Sequence, residues 1–448
     1  MVKIQIKSIF FSTVRKFTFI FLLSFVVQLT YLVLNPLNKP RLDAAIYDTI
    51  GFNIASGKGF SIDGLNPTTH YPIYPIFLSI IYIIFGRNYF IVQLFLTLFL
   101  ALSCGIVYLL GKVVFNEKVG LIAATFLSLY PPFFCLSRIM YAEPLFIVLL
   151  YTLILQLIFF IKINKAWIIL ISGILLGTAI LTKPQIIYLP VVITVFLLWL
   201  LGFKKALRYL LIFSMGILLC MGPWIIRNYL IFGDFRPVAA FAIKNGKPIK
   251  VDEGVRYNKE KAILALEWYQ QNVLENYYVK AEVEPHIEFK KTFLQKMVNY
   301  FGSDYAGNPS NILDLVRKMY VTSYGDVLDM GIPFKAFVQD KNLSKYYWHI
   351  LVVKIALILI SLFIFLFGIL NMLLSIKRSK EKMFLALLFM SYTLFLYLWV
   401  IFFGQVGICG RYGIPVLPIL ILFAVDWFIK TKEKNMRLTI KKDAPGEQ

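Results

Sequence analysis

The chain has 448 residues, 59% of them hydrophobic and only 16% charged, with a mean hydropathy of +0.74. That balance excludes an ordinary soluble enzyme, and apolar runs of 16 to 26 residues recur along the chain, each long enough to cross a hydrocarbon core of roughly 30 Å at about 1.5 Å per residue. The net charge of +22 does not mark a nucleic-acid surface, because outside residues 234–349 the basic excess sits in short connections between apolar runs, where membrane topology places it.

In chain order, the apolar segments predict ten membrane helices over roughly 17–34, 89–114, 119–136, 144–161, 166–182, 186–202, 209–232, 351–374, 383–403 and 414–429. The first follows a basic start (Lys3, Lys7, Arg15, Lys16) and carries no small-residue cleavage site, so it reads as an uncleaved helix. Placing the N-terminus in the cytoplasm gathers Lys112 and Lys118, Lys162 and Lys165, Lys204 to Arg208, Lys377 to Lys382 and the tail after Lys430 on the inner side. The opposite orientation inverts the bias and is rejected.

After the first helix comes an outer loop, 36–88. Within it, Leu42, Ile46, Ile50 and Ile54 recur every four residues and predict an interfacial helix that stops at Gly57-Lys58-Gly59-Phe60. Asp43 and Tyr47 share one face of that helix, whereas Asp48 lies well around it, so the two carboxylates cannot close on one substrate atom. Tyr71 to Phe85 is apolar but short and opens with Pro72 and Pro75. Were it to span, later basic clusters would face outward, so it reads as a second helix at the outer interface.

The chain thus divides into an N-terminal membrane module with the first outer loop (1–232), an outer-face, mainly helical domain (233–350), C-terminal membrane helices (351–430) and a basic cytoplasmic tail (431–448). The fold class is an all-α polytopic membrane protein. Cys104, Cys135, Cys220 and Cys409 are scattered in or beside apolar runs with no paired spacing and read as small hydrophobes.

Ionisable residues at membrane depth are costly and commonly functional. Arg138, Glu143, Lys183, Arg227 and Arg411 all fall at the outer ends of predicted helices, and with the first-loop carboxylates they form one candidate site. A single carboxylate there can act as general base toward an acceptor hydroxyl, while cations hold a departing phosphate. Asp43 is the candidate base; a helix cap or solvated face is its bland alternative.

Several stretches, taken together, resemble the GT-C glycosyltransferases, in the branch of bacterial aminoarabinose transferases and protein mannosyltransferase-like proteins. They are Asp43 to Phe60, Tyr71-Pro-Ile-Tyr-Pro75, Tyr141-Ala-Glu-Pro-Leu-Phe146, Leu181-Thr-Lys-Pro184, Pro223-Trp-Ile-Ile-Arg-Asn-Tyr229 and Arg411-Tyr-Gly-Ile-Pro-Val-Leu-Pro418. The resemblance implies Asp43 as catalytic base, Glu143 at the site, and Lys183 on a lipid phosphate. Tyr47, Asp48, His70, Tyr71, Arg138, Arg227 and Arg411 join them as expected contacts to lipid phosphate or sugar. Where the aminoarabinose branch has an acidic pair and an arginine, this chain has Ala44 and Ile46. Where that branch carries Glu-Lys before the proline of the interfacial helix, it reads Thr68-Thr69-His70-Tyr71, and His70 is the available substitute as hydrogen-bond donor or ligand.

The function these readings predict is transfer of a sugar from a polyprenyl-phosphate donor to an acceptor hydroxyl of a lipid, glycan or protein, on the outer face of the inner (plasma) membrane. Both termini are expected in the cytoplasm. No cofactor is certain, and a divalent metal remains an option. The absence of a G-x-G-x-x-G or P-loop pattern agrees with a lipid donor. The rivals are a lipid-linked sugar transporter or flippase, for which mid-helix charges are expected, and an O-antigen polymerase or ligase, whose catalytic residues would lie in the large outer loop.

Overall fold

The computed structural model describes residues 2–35, 40, 43–62, 64, 70–232, 243–244, 247–248, 317–321, 347–403 and 410–443. Besides a helical stretch at 317–320, thirteen α-helices with defined bounds run through them. They are α1 (Val2–Leu34), α2 (Asp43–Ala55), α3 (Ile73–Phe85), α4 (Tyr89–Val114), α5 (Glu117–Leu129), α6 (Pro131–Phe134), α7 (Glu143–Ile163), α8 (Ala166–Thr182), α9 (Leu189–Leu201), α10 (Phe203–Phe232), α11 (Tyr347–Ser375), α12 (Lys380–Phe403) and α13 (Leu417–Asp443). A two-residue antiparallel pair, Ile243–Lys244 with Lys247–Pro248, is the only strand pairing among the described residues. The expected outer domain lies almost wholly outside them.

Every predicted membrane segment coincides with a helix. Among the described residues seven helices are long and apolar enough to cross a membrane, eight if one bent pair counts as a single span; of the ten spans expected, α8, with 17 residues, is shorter, and α13 is not among those that qualify. The chain is a multi-pass membrane protein of all-α architecture. The bent pair corrects the straight helix expected over 119–136. Glu117–Leu129 and Pro131–Ser137 meet at 66°. Tyr130, the residue before Pro131, adopts extended angles (φ −80, ψ 113), because the proline ring disfavours helical geometry in the residue before it.

The chain forms two compact units that interleave in sequence, Met1–Val27 with Ala101–Phe134 and Thr292–Gln448 in the first, and Gln28–Leu100 with Cys135–Lys291 in the second. In the first unit polar groups are pooled rather than scattered. Lys16 (2.7 Å) and Lys112 (3.5 Å) both reach Glu117. Asp426, 2% exposed, is met by Lys430 and by Lys382 at 3.5 Å, and takes a hydrogen bond from Asn371 at 3.0 Å. Burying a carboxylate demands such partners.

The second unit holds every candidate residue except Arg411. Its α8 and α10 meet backbone to backbone. A Cβ on Gly173 would lie 2.2 Å from the Phe213 carbonyl oxygen, one on Gly216 2.4 Å from that of Leu170, and one on Gly177 2.9 Å from Cys220 Cβ. Helices in lipid gain little from hydrophobic exclusion and rely on close van der Waals packing, for which small residues four apart are suited. Gly173→Leu therefore forces the pair apart. A loss of about 1–3 kcal/mol, the usual cost of overpacking, is expected as a lowered unfolding midpoint of the detergent-purified protein.

The two helices of the first loop pack on each other in the same way: a Cβ on Gly51 of α2 would come within 2.8 Å of Leu78 Cβ on α3. With 13 residues, α3 reaches only about 20 Å, short of a bilayer core.

Candidate active site

Asp43 stands in the first turn of α2 and is exposed. The helix dipole favours its ionised form there. One turn on, Tyr47 is buried, its ring 5.2 Å from that of His70 and 5.1 Å, edge-on, from that of Tyr74. Tyr71 follows at 5.7 Å from His70. The structure thus brings Tyr47, His70 and Tyr71 together, with Asp43 one turn before Tyr47 on the α2 face that the spacing of those two predicts. Burial pushes the His70 imidazole down to about 4, with the Asp43 carboxylate pulling the other way, so the ring is neutral at pH 7.

Asp48 occupies a different face and a different role. It is 3% exposed. Its Oδ1 accepts from the Tyr82 hydroxyl (2.6 Å) and Arg87 Nε (3.2 Å), and its Oδ2 from Arg87 Nη2 (2.5 Å) and the Tyr89 hydroxyl (3.4 Å). Both oxygens are engaged, and the carboxylate raises the Arg87 pKa above its ordinary value chiefly by accepting that hydrogen bond. Arg87 also lies 4.5 Å over the Phe52 ring. The cluster ties α2 to the end of α3 and the start of α4. Arg87, Tyr82 and Tyr89 were not among the sequence candidates. A lone arginine between two apolar helices was the available signal.

Glu143 opens α7, 2% exposed, and accepts a 2.5 Å hydrogen bond from Lys183, the residue capping the end of α8. The helix is preceded by Ala142 with no side-chain cap. The Tyr74 hydroxyl donates to the Met140 carbonyl at 2.7 Å, steadying a left-handed residue (φ 54) that turns the chain into α7. Arg138 donates from Nε to the Asn35 carbonyl (2.6 Å), and its own carbonyl accepts from Gln93 (2.7 Å), which makes it a tie between the end of α1 and the start of α4.

Arg227, on α10, lies 4.6 Å over the Trp224 ring and 5.4 Å over that of Phe60, and donates to Asn228 at 2.9 Å. Those rings hold a guanidinium by cation–π attraction. Arg411 belongs to the other unit, in a 3-10 turn (Gly410–Tyr412) with its guanidinium 5.5 Å over the Tyr412 ring.

Among the described residues no three His, Cys, Asp or Glu side chains gather as metal ligands, and Asp48 and Glu143 are each already matched by a cation.

In chemical terms the second unit presents an exposed carboxylate beside a neutral imidazole and tyrosine rings, a buried acid–base ion pair, and an arginine on an aromatic platform.

Solved structures define the fold class. The archaeal oligosaccharyltransferase AglB from Archaeoglobus fulgidus, in complex with an inhibitory peptide and a dolichol-phosphate, matches with a TM-score of 0.52 at 13% identity, over 96% of this chain and 52% of that one. A second structure of the Archaeoglobus fulgidus oligosaccharyltransferase, in complex with Zn and sulfate, gives 0.50 at 15% identity over 94% and 50%. The chain spans about half the length of these matches, and the fold it shares with them is GT-C-like. Within that class, residues 69–226 match the family described as dolichyl-phosphate-mannose-protein mannosyltransferase. The matched stretch contains His70, Tyr71, Arg138, Glu143 and Lys183, and leaves Asp43, Tyr47, Asp48, Arg227 and Arg411 outside. None of the curated proteins compared matches the sequence.

Proposed function

We propose that this protein is a membrane glycosyltransferase that moves a sugar from a polyprenyl-phosphate donor to an acceptor hydroxyl on the outer face of the plasma membrane. The observation that carries the proposal is an exposed carboxylate, Asp43, in the first turn of α2, in the compact unit that also holds most of the mannosyltransferase-like stretch. The AglB match, whose structure holds a dolichol-phosphate, supports a lipid-phosphate donor.

Asp43 takes the proton of the acceptor hydroxyl as its oxygen bonds to the anomeric carbon. The bond from that carbon to the phosphate oxygen breaks, and its electron pair leaves with the lipid phosphate. The leaving group thereby gains negative charge, which cations stabilise. Because Glu143 offsets the charge of Lys183, the phosphate falls first to Arg227, with Lys183 shared between the carboxylate and the donor. The Asp48–Arg87 pair holds α2 in place. Membranes carrying the protein, given a panel of radiolabelled polyprenyl-phosphate sugars, are expected to release free polyprenyl phosphate as label passes to an acceptor. Label that only crosses the bilayer, still on its lipid, would make the protein a transporter.

The orientation has its own test. The first loop and residues 234–349 share the outer side in this reading, because that arrangement alone keeps most basic connections inside. Single cysteines at Lys58 and Asn245 are expected to react with an impermeant maleimide from the same side. Labelling from opposite sides refutes the topology.

A further inference from the structure

The imidazole on which the charge of the proposed base acts has incomplete hydrogen bonding. His70 Nδ1 is buried and finds no hydrogen-bond partner among the described residues. Leaving a buried polar nitrogen unmatched costs about 1–3 kcal/mol, which a structural histidine would recover through a neighbouring carbonyl or hydroxyl. Here the neighbours are rings, those of Tyr47 and Tyr71 at 5.2 and 5.7 Å, and the charge of Asp43, which acts on the imidazole.

Building on the glycosyltransferase reading, we propose that His70 is a sugar-recognition residue, its Nδ1 sharing a hydrogen bond with a ring hydroxyl of a saccharide that lies against Tyr47 and Tyr71 beside Asp43. Three features select this ligand. A hydroxyl both donates and accepts, so it completes Nδ1 in either tautomer of a neutral imidazole. A phosphate or carboxylate oxygen only accepts, so it completes Nδ1 in just the one tautomer that carries the proton there. Aromatic rings next to a polar edge suit a ligand that has an apolar C–H face and a rim of hydroxyls. The saccharide is either the donor's sugar or a glycan acceptor, and kinetics separates the two.

The experiment uses the full-length protein in membranes and the polyprenyl-phosphate sugar of the panel that the wild type turns over fastest. Undecaprenyl phosphate, which lacks a sugar, serves as competitive inhibitor. His70→Phe keeps a ring and removes the hydrogen bond, while His70→Gln keeps a donor and an acceptor. The donor KM is expected to rise about tenfold in His70→Phe, as for one lost hydrogen bond of about 1.4 kcal/mol, with partial recovery in His70→Gln. The inhibition constant of undecaprenyl phosphate is expected to stay at the wild-type value. If only the acceptor KM rises, the hydroxyl belongs to a glycan acceptor. A KM and an inhibition constant that rise together, or a KM that does not move in either variant, overturn the proposal while leaving the enzyme reading intact. A wild type that releases polyprenyl phosphate from no donor in the panel overturns the enzyme reading itself, and this inference with it.

Discussion

Asp43→Asn is expected to lower sugar transfer by about 10²–10⁴-fold, the usual contribution of a general base, while donor KM stays nearly constant. The amide keeps the size and polarity of the side chain and removes only its ability to take a proton. Asp43 is exposed and heads its helix, and folding is expected to be unaffected. A fall in turnover without a change in donor affinity marks an interaction made in the transition state. Asp48→Asn and Glu143→Gln provide the contrast, because both side chains are buried in ion pairs and their replacement acts through packing as well. If Asp43→Asn keeps more than about a tenth of wild-type turnover while a stably folded Glu143→Gln is inactive, the base is Glu143.

The second large effect belongs to a residue that touches no substrate in this scheme. Arg87→Leu removes the bidentate partner of Asp48 and leaves a carboxylate, 3% exposed, with two tyrosine hydroxyls. Stripping the partner from a fully buried pair costs about 3–5 kcal/mol. The Arg87 side chain is 36% exposed, so water recovers part of the loss, and about 2–3 kcal/mol is the expected destabilisation. Turnover should fall as well, since displacing a catalytic group by about 1 Å can cost 10²-fold. Arg87→Lys keeps the charge but loses the fork geometry that two carboxylate oxygens need, and is expected between the two. The readouts are the unfolding midpoint in detergent and the transfer rate in membranes. Wild-type values of both in Arg87→Leu would remove the clamp from the account.

Hydropathy and charge made the membrane helices legible, because lipid forces each spanning segment to satisfy its own backbone and so writes itself as a long apolar run. The spacing of Asp43 and Tyr47 placed them on one face for a similarly local reason. The pairings were not legible. Lys183 meets Glu143 across 40 residues and Arg87 meets Asp48 across 39, and nothing local to either sequence neighbourhood names the partner. Lys183 thus reads from sequence as a cation open to phosphate, and the structure gives it a carboxylate. Asp48 reads as a substrate contact, and the structure commits both its oxygens to α3 and the start of α4. The bend at Pro131 was legible in principle, since consecutive prolines stand there, but the apolar run continues across them and hydropathy alone counts one helix.

The glycine contact between α8 and α10 works as a vernier. Gly173 faces Gly216 and Gly177 faces Cys220, pairs with the same offset in residue number, so the two helices run parallel in fixed register. Carried forward by that offset, Lys183 at the end of α8 comes level with Ile226 and Arg227 on α10. A slip of one turn would shift the two cations by about 5.4 Å along the helix axes, roughly the span of a phosphate with its hydrogen-bonded neighbours. In the proposed scheme, the residues that set the depth at which the donor phosphate would be gripped are therefore glycines, well away from the grip itself.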